Sequence, residues 1–105
     1  MFTFVETPLF TRLVGEYLTD QQYLELQLAL SANPLAGALI PGSGGVRKLR
    51  WAMTGRGKRG GLRVIYYART RSGVIWMLTL YPKNVQDTIS AHVLRQMLKE
   101  LSDAN

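Results

Sequence analysis

Val74 to Tyr81, V-I-W-M-L-T-L-Y, constrains the fold more than any other stretch of the chain. A strand with one wet face alternates apolar and polar side chains, but this run is apolar almost without interruption. It reads as a central strand covered on both faces. Such a strand needs partners, and the residues before it supply them. Leu62 to Thr70 is a second strand, joined to the first by a short hairpin turn at Arg71-Ser72-Gly73. Val46 to Met53 is a third, and it alternates: Arg47, Leu49, Trp51 and Met53 point one way, Val46, Lys48, Arg50 and Ala52 the other. If Leu49 and Trp51 are buried against helices, Lys48 and Arg50 emerge side by side on the opposite face.

The N-terminal part supplies those helices. Phe2 to Glu6 is aromatic and β-branched enough for a short strand. Thr7 followed by Pro8 reads as an N-cap and a first helical residue, where the missing proline N–H costs nothing. Phe10, Leu13, Val14 and Tyr17 then fall on one helical face. A second helix starts at Thr19, where T-D-Q-Q fits a capping box closed by Gln22. Its stripe is Tyr23, Leu26 and Leu30, widened by Leu24 and Leu28, and Asn33-Pro34 ends it. Leu35 to Gly45 reads as a loop, punctuated by glycines and prolines. At the other end of the chain, Asp87 is placed to cap a helix carrying Ile89, Val93, Met97 and Leu101, with Leu94 and Leu98 beside them. The expected fold is α+β: a small, mostly antiparallel sheet built from an N-terminal strand and a three-stranded meander, with a two-helix hairpin and a C-terminal helix. Residues 1–105 make one domain, long enough for a single core.

Charge is distributed unevenly over this frame. Nine of the thirteen basic residues lie between Gly42 and Arg71, while no Asp or Glu occurs between Glu25 and Asp87. With a net charge of +6, such a hairpin attracts polyanions through phosphate contacts and counterion release. Arg47, Arg56, Lys58, Arg59 and Arg69 are the candidate RNA-binding cations. A run of this kind also serves as a plain solvated face. The chain is 47% hydrophobic and 19% charged, a globular rather than a disordered composition. It has no Cys and one His, which excludes disulfides, thiolate zinc sites, a cysteine nucleophile and a His-pair ribonuclease mechanism. His92 itself flanks the last helix's apolar stripe, as a structural or surface residue. No apolar run approaches a membrane span and no basic leader precedes the first strand, so a cytoplasmic protein is expected, with neither metal nor cofactor nor membrane contact.

Thr54 to Gly61 is a glycine-rich basic loop whose Gly55-Arg56-Gly57-Lys58-Arg59-Gly60 formally fits the dinucleotide pattern G-x-G-x-x-G. That motif must open a helix, and here a strand follows. Nor does it fit a Walker loop, because Arg59 stands where Ser or Thr should hold magnesium. Glycines in such a loop permit positive φ and a close backbone approach to a ligand.

The succession of strand, two helices and meander, with R-K-L-R, G-R-G-K-R-G-G-L-R-V-I-Y-Y and L-T-L-Y-P-K-N in order, resembles the HigB branch of the RelE superfamily of bacterial toxins. The resemblance spans essentially the entire chain. It implies a RelE-like fold and a toxin that is a ribosome-dependent messenger RNA endoribonuclease working without metal. It also implies a cognate antitoxin, with a helix-turn-helix DNA-binding pattern, as partner. The catalytic set it implies is Lys48 and Arg50 on the first meander strand, Arg63 opening the next, and Lys83 after the last. The further arginine and tyrosine of RelE have no counterpart, since Asn84 and Val85 follow and no tyrosine occurs after Tyr81.

Cleaving RNA without metal requires removal of the 2′-OH proton, attack on the adjacent phosphate, stabilisation of the added charge and protonation of the leaving 5′ oxygen. Arg63 suits charge stabilisation, because guanidinium stays ionised and grips two phosphate oxygens. Lys48, crowded by Arg47, Arg50 and Arg63, stands open as either acid or base. All four cations also fit ordinary phosphate binding. A non-catalytic RNA-binding module is therefore one rival reading, and a gyrase-poisoning relative of the same fold is another. Tyr66, Tyr67 and Trp51 read as core, although Tyr67 shares the face of Arg63 and also suits base stacking.

Overall fold

Thr7 ends the first strand and starts the first helix. Its Oγ1 accepts from the Phe10 N–H at 3.0 Å and donates to the Leu78 carbonyl at 2.7 Å, so the cap is also a tie to the sheet. The computed structural model describes residues 2–52, 61–85 and 89–103. Around Thr7 lie β1 (Thr3–Glu6) and α1 (Pro8–Tyr17), with Pro8 in the first turn as its fixed φ favours. The capping box at Thr19 forms as its spacing requires: Gln22 N–H donates to Thr19 Oγ1 and Thr19 N–H to Gln22 Oε1, opening α2 (Asp20–Ala32). Then follow β2 (Ala38–Leu39), β3 (Arg47–Trp51), β4 (Leu62–Arg69), β5 (Val74–Pro82) and α3 (Ala91–Asp103).

The strands form one sheet in the order β1-β5-β4-β3-β2, parallel between β1 and β5 and antiparallel elsewhere. This is the expected α+β arrangement with one more strand: β2 is a two-residue edge inside the stretch that reads as loop. β5 lies between β1 and β4 and is buried on both faces. Ile75, Met77 and Leu80 join Leu62, Val64 and Tyr66 of β4 in a core against Phe10 of α1 and Leu26 and Leu30 of α2. On the reverse face Leu78 and Tyr81 join Ile65 and Val46 beneath Leu94 of α3.

Two details depart from the pattern expected of the helices. Leu24 and Leu28 do not widen the α2 stripe; they are 47% and 55% exposed, on the side turned away from Leu26 and Leu30. In α3 the buried line runs through Leu94, with Met97, Leu98 and Leu101 packed beside it, while Val93 faces outward. Asp87 lies outside the described residues; Ser90 Oγ accepts from the Val93 N–H at 3.2 Å and takes the cap of the helix as described.

Two side chains fasten the segment before β3. The Tyr66 hydroxyl, fully buried, accepts from the Gly37 N–H and donates to the Pro34 carbonyl, both at 2.9 Å. Arg47 donates to the Gly37 carbonyl at 2.7 Å and to that of Leu35 at 3.2 Å. At the opposite edge Glu6 accepts from Thr11 and Tyr23, joining β1 to both helices of the hairpin. Burial, the Glu6 hydrogen bond and the Glu6 charge together hold the Tyr23 phenol well above its ordinary range, with an opposing pull from Gln27.

Burial also raises the Tyr66 phenol, while the Gly37 N–H and the nearby Arg47 charge pull it partly back. Its folded value exceeds the unfolded one, so its stabilising contribution is whole below about pH 10 and drains as pH climbs past that ordinary phenol value. Tyr66→Phe leaves the Gly37 N–H unsatisfied and is expected to cost about 1–3 kcal/mol near neutral pH. Urea unfolding of both proteins at pH 8 and above pH 10 should show the parent losing more stability over that interval than the variant. Equal losses would mean that Tyr66 plays no part in the alkaline limb.

Gly61 supplies a second test. It enters β4 at φ +53°, and a Cβ there would meet the Trp51 carbonyl oxygen at 2.5 Å, so only glycine fits between the ends of β3 and β4. The left-handed backbone alone costs an L-residue about 1–2 kcal/mol, and the clash with a main-chain oxygen adds to it. Gly61→Ala is expected to lower the melting temperature clearly. Gly15→Ala, in α1 with open space around it, should raise it by an amount worth roughly 0.5–1 kcal/mol. A neutral Gly61→Ala would contradict the close approach.

Candidate nucleic-acid interface

Strand register brings the cations together. In the β3–β4 ladder Lys48 lies opposite Ile65 and Arg50 opposite Arg63, while Leu49 and Trp51 face the α1–α2 core. Lys48 and Arg50 therefore stand on the α3 side, as the alternation of β3 predicts. Directly opposed residues on neighbouring strands hold their Cβ atoms about 4.5–5.5 Å apart, and like charges so placed repel.

A bulge in β5 completes the row. The register runs Tyr67↔Trp76 and Tyr66↔Met77, then skips to Ile65↔Thr79 and Arg63↔Tyr81, leaving Leu78 as the extra residue. Without that residue Leu80 would lie beside Arg63, and Tyr81 would turn into the α1–α2 core. With it, Leu80 stays in the core and the tyrosine joins the cations. The row across three strands is Arg50, Arg63 and Tyr81, and the next row is Lys48, Ile65 and Thr79. Neither Tyr81 nor Thr79 stands out in the sequence as a site neighbour, because the bulge depends on pairing with β4.

Exposure grades across this row. Arg50 is exposed, Lys48 half-buried, and Arg63 and Tyr81 only 5% and 4% exposed. One Arg63 Nη1 contact reaches the Leu62 carbonyl at 3.5 Å. Lys83 follows β5 and is exposed; its N–H donates to the Gly61 carbonyl at 3.4 Å, which fixes it at the same end of the sheet as Arg50 and Arg63. The four cations of the expected catalytic set thus gather at one end of the sheet.

Of the expected RNA-binding residues, Arg47 and Arg69 are described, and both lie away from this row. Arg47 lies on the opposite face from Lys48, and its guanidinium donates to the Leu35 and Gly37 carbonyls, tying down the segment before β2. Arg69 lies at the far end of β4, about 20 Å along the strand from Arg63 at roughly 3.3 Å per residue. Its guanidinium sits 5.8 Å from the centroid of the Tyr67 ring. Arg56, Lys58 and Arg59, with the G-x-G-x-x-G stretch, lie outside the described residues. Tyr66 is core, Trp51 packs against the α1–α2 core, and His92 is exposed on α3.

Among the described residues no group of three or more His, Cys, Asp or Glu side chains comes together, and no helix is long and apolar enough to cross a membrane. Among the described residues, this end of the sheet carries guanidinium and ammonium groups, with a buried phenol beside them. A family model for the RelE toxin of the RelE/RelB toxin-antitoxin system matches residues 10–104, from α1 to the C-terminal end of α3. The chain belongs to the RelE family of toxins from toxin-antitoxin systems.

Proposed function

We propose that the chain, residues 1–105 acting as one domain, is a HigB-like toxin that cuts messenger RNA in the ribosomal A site without metal. The observation that carries this reading is the Arg50–Arg63 opposition, with Lys48 on the same face and Lys83 at the same end. Guanidiniums on directly opposed residues can both grip oxygens of one phosphate. In the proposed reaction a base takes the 2′-OH proton and the 2′ oxygen attacks the adjacent phosphorus. The P–O5′ bond then breaks, the 5′ oxygen takes up a proton, and a 2′,3′-cyclic phosphate remains. Arg63 meets the charge that builds on the phosphoryl oxygens, and its burial strengthens that interaction because the surrounding dielectric is low. Arg50 grips the phosphate from the solvent side, and Lys48 and Lys83 serve the two proton transfers, in an order left open.

With one His in the chain and no carboxylate on this basic hairpin, the ribosome has to orient the 2′-OH for in-line attack. Ribosome and messenger RNA are thus partners in the cytoplasm, and a cognate antitoxin with a helix-turn-helix domain holds the toxin silent. The burial of Arg63 favours one competing reading: a non-catalytic RNA-binding module in which Arg63 only braces Arg50.

Single-turnover cleavage on translating ribosomes separates the two. Arg63→Ala is expected to lower the cleavage rate by roughly 100-fold or more, the scale of losing one oxyanion donor. Ribosome affinity should fall far less, since one phosphate contact is a small share of the electrostatic term. Arg69→Ala should weaken binding modestly and leave the bound-state rate nearly intact. Thermal melts of each variant distinguish lost chemistry from lost folding. Cleavage at the parental rate by folded, ribosome-bound Arg63→Ala would make Arg63 an anchor and end its catalytic assignment.

A further inference from the structure

At the other end of the same sheet face, β4, β5 and α3 enclose a cavity of ≈ 290 Å³. Its wall is apolar, from Tyr67, Trp76 and Leu98, and three cations, Arg69, Arg95 and Lys99, stand around it, with no acidic side chain among the described residues that line it. Arg95 and Lys99 lie one helical turn apart on α3, and Arg95 donates to the Gly42 carbonyl, which holds that part of the rim in place. Tyr67 lies about 13 Å from Arg63 along β4, at roughly 3.3 Å per residue, so the cavity is separate from the cationic row.

Two classes of polyanion suit the charge, and the apolar wall decides between them. A single RNA strand uses open ring faces for stacking. Here the Arg69 guanidinium already sits over the Tyr67 ring, Gly45 lies close against the Cε1–Cδ1 edge of that ring, and Trp76 packs into the core under α3. Phosphates alone would leave the apolar interior unused. A side chain from a protein uses both parts, with an apolar or aromatic anchor filling the cavity and neighbouring carboxylates meeting the three cations. Anchors of this type carry much of the energy of protein interfaces, and charge complementarity around them speeds association.

We propose that this cavity is the anchor site for the antitoxin, taking an apolar side chain flanked by carboxylates from an acidic segment of that protein. The proposal rests on the toxin-antitoxin reading and adds where, and through which chemistry, the partner holds on. It also places the anchor on the face that carries Lys48 and Arg50, within reach of an acidic segment that continues toward them.

The test titrates separately purified cognate antitoxin against the full chain, its Lys99→Glu and Lys99→Arg variants, and Leu98→Ala, with ribosome-dependent cleavage measured on each. Lys99→Glu is expected to weaken antitoxin binding by tenfold or more, Lys99→Arg to retain it, and Leu98→Ala to weaken it without changing its salt dependence. Cleavage should stay at the parental rate in both Lys99 variants. If Leu98→Ala fails to fold, the two Lys99 variants still decide, because Lys99 is exposed. Equal antitoxin affinity for the parent and Lys99→Glu would overturn the proposal and leave the toxin reading intact. Loss of cleavage with unchanged antitoxin binding would assign the cavity to the RNA path instead. Failure of the antitoxin to bind the parent chain would overturn the proposal and the toxin-antitoxin reading together.

Discussion

β5 is apolar on both faces, and the rest of the structure follows from covering it. One layer cannot cover two faces, so the chain places α1 and α2 on one side and α3 on the other. β1 lies parallel beside β5, and Thr7, where β1 gives way to α1, is bonded to the Leu78 carbonyl. β4 and β3 extend the sheet on its other side. One end of the face beneath α3 carries Arg50 and Arg63, and the cavity lies at the other.

The cations gather on one face of the sheet. Arg50 and Arg63 oppose each other across a ladder, and Arg63 is almost wholly out of water. The structure around them is tied firmly: by the Thr7 cap, the capping box at Thr19, the Tyr66 and Arg47 ties to the Gly37 segment, and two apolar cores. The bulge in β5 keeps Leu80 in the core and sets Tyr81 beside Arg63.

How much of this was legible in the sequence depended on how local each signal was. Alternation in β3 is local, and it correctly put Lys48 and Arg50 opposite Leu49 and Trp51. Capping chemistry is local too, and Thr7, Pro8, Thr19 and Gln22 behave as their spacing requires. The fold class and the family resemblance at the level of the RelE superfamily were readable for the same reason. The β5 bulge was not, because an extra residue in one strand is defined only against its partner. In α2, leucines occur all round the helix, so periodicity could not tell that Leu24 and Leu28 face outward. β2 was hidden because two residues make no pattern, and it is held by distant Tyr66 and Arg47.

The proposed activity is cleavage of messenger RNA at this basic end of the sheet when the ribosome presents it. The most direct measurement compares one messenger RNA, translating on ribosomes or free in solution, after addition of the purified chain, with cleavage ends mapped by primer extension and their chemistry identified. The expected result is cleavage within the A-site codon leaving a 2′,3′-cyclic phosphate, with the free RNA bound but cut far more slowly. An intact message on translating ribosomes, or equally rapid metal-free cutting of the free RNA, would contradict it.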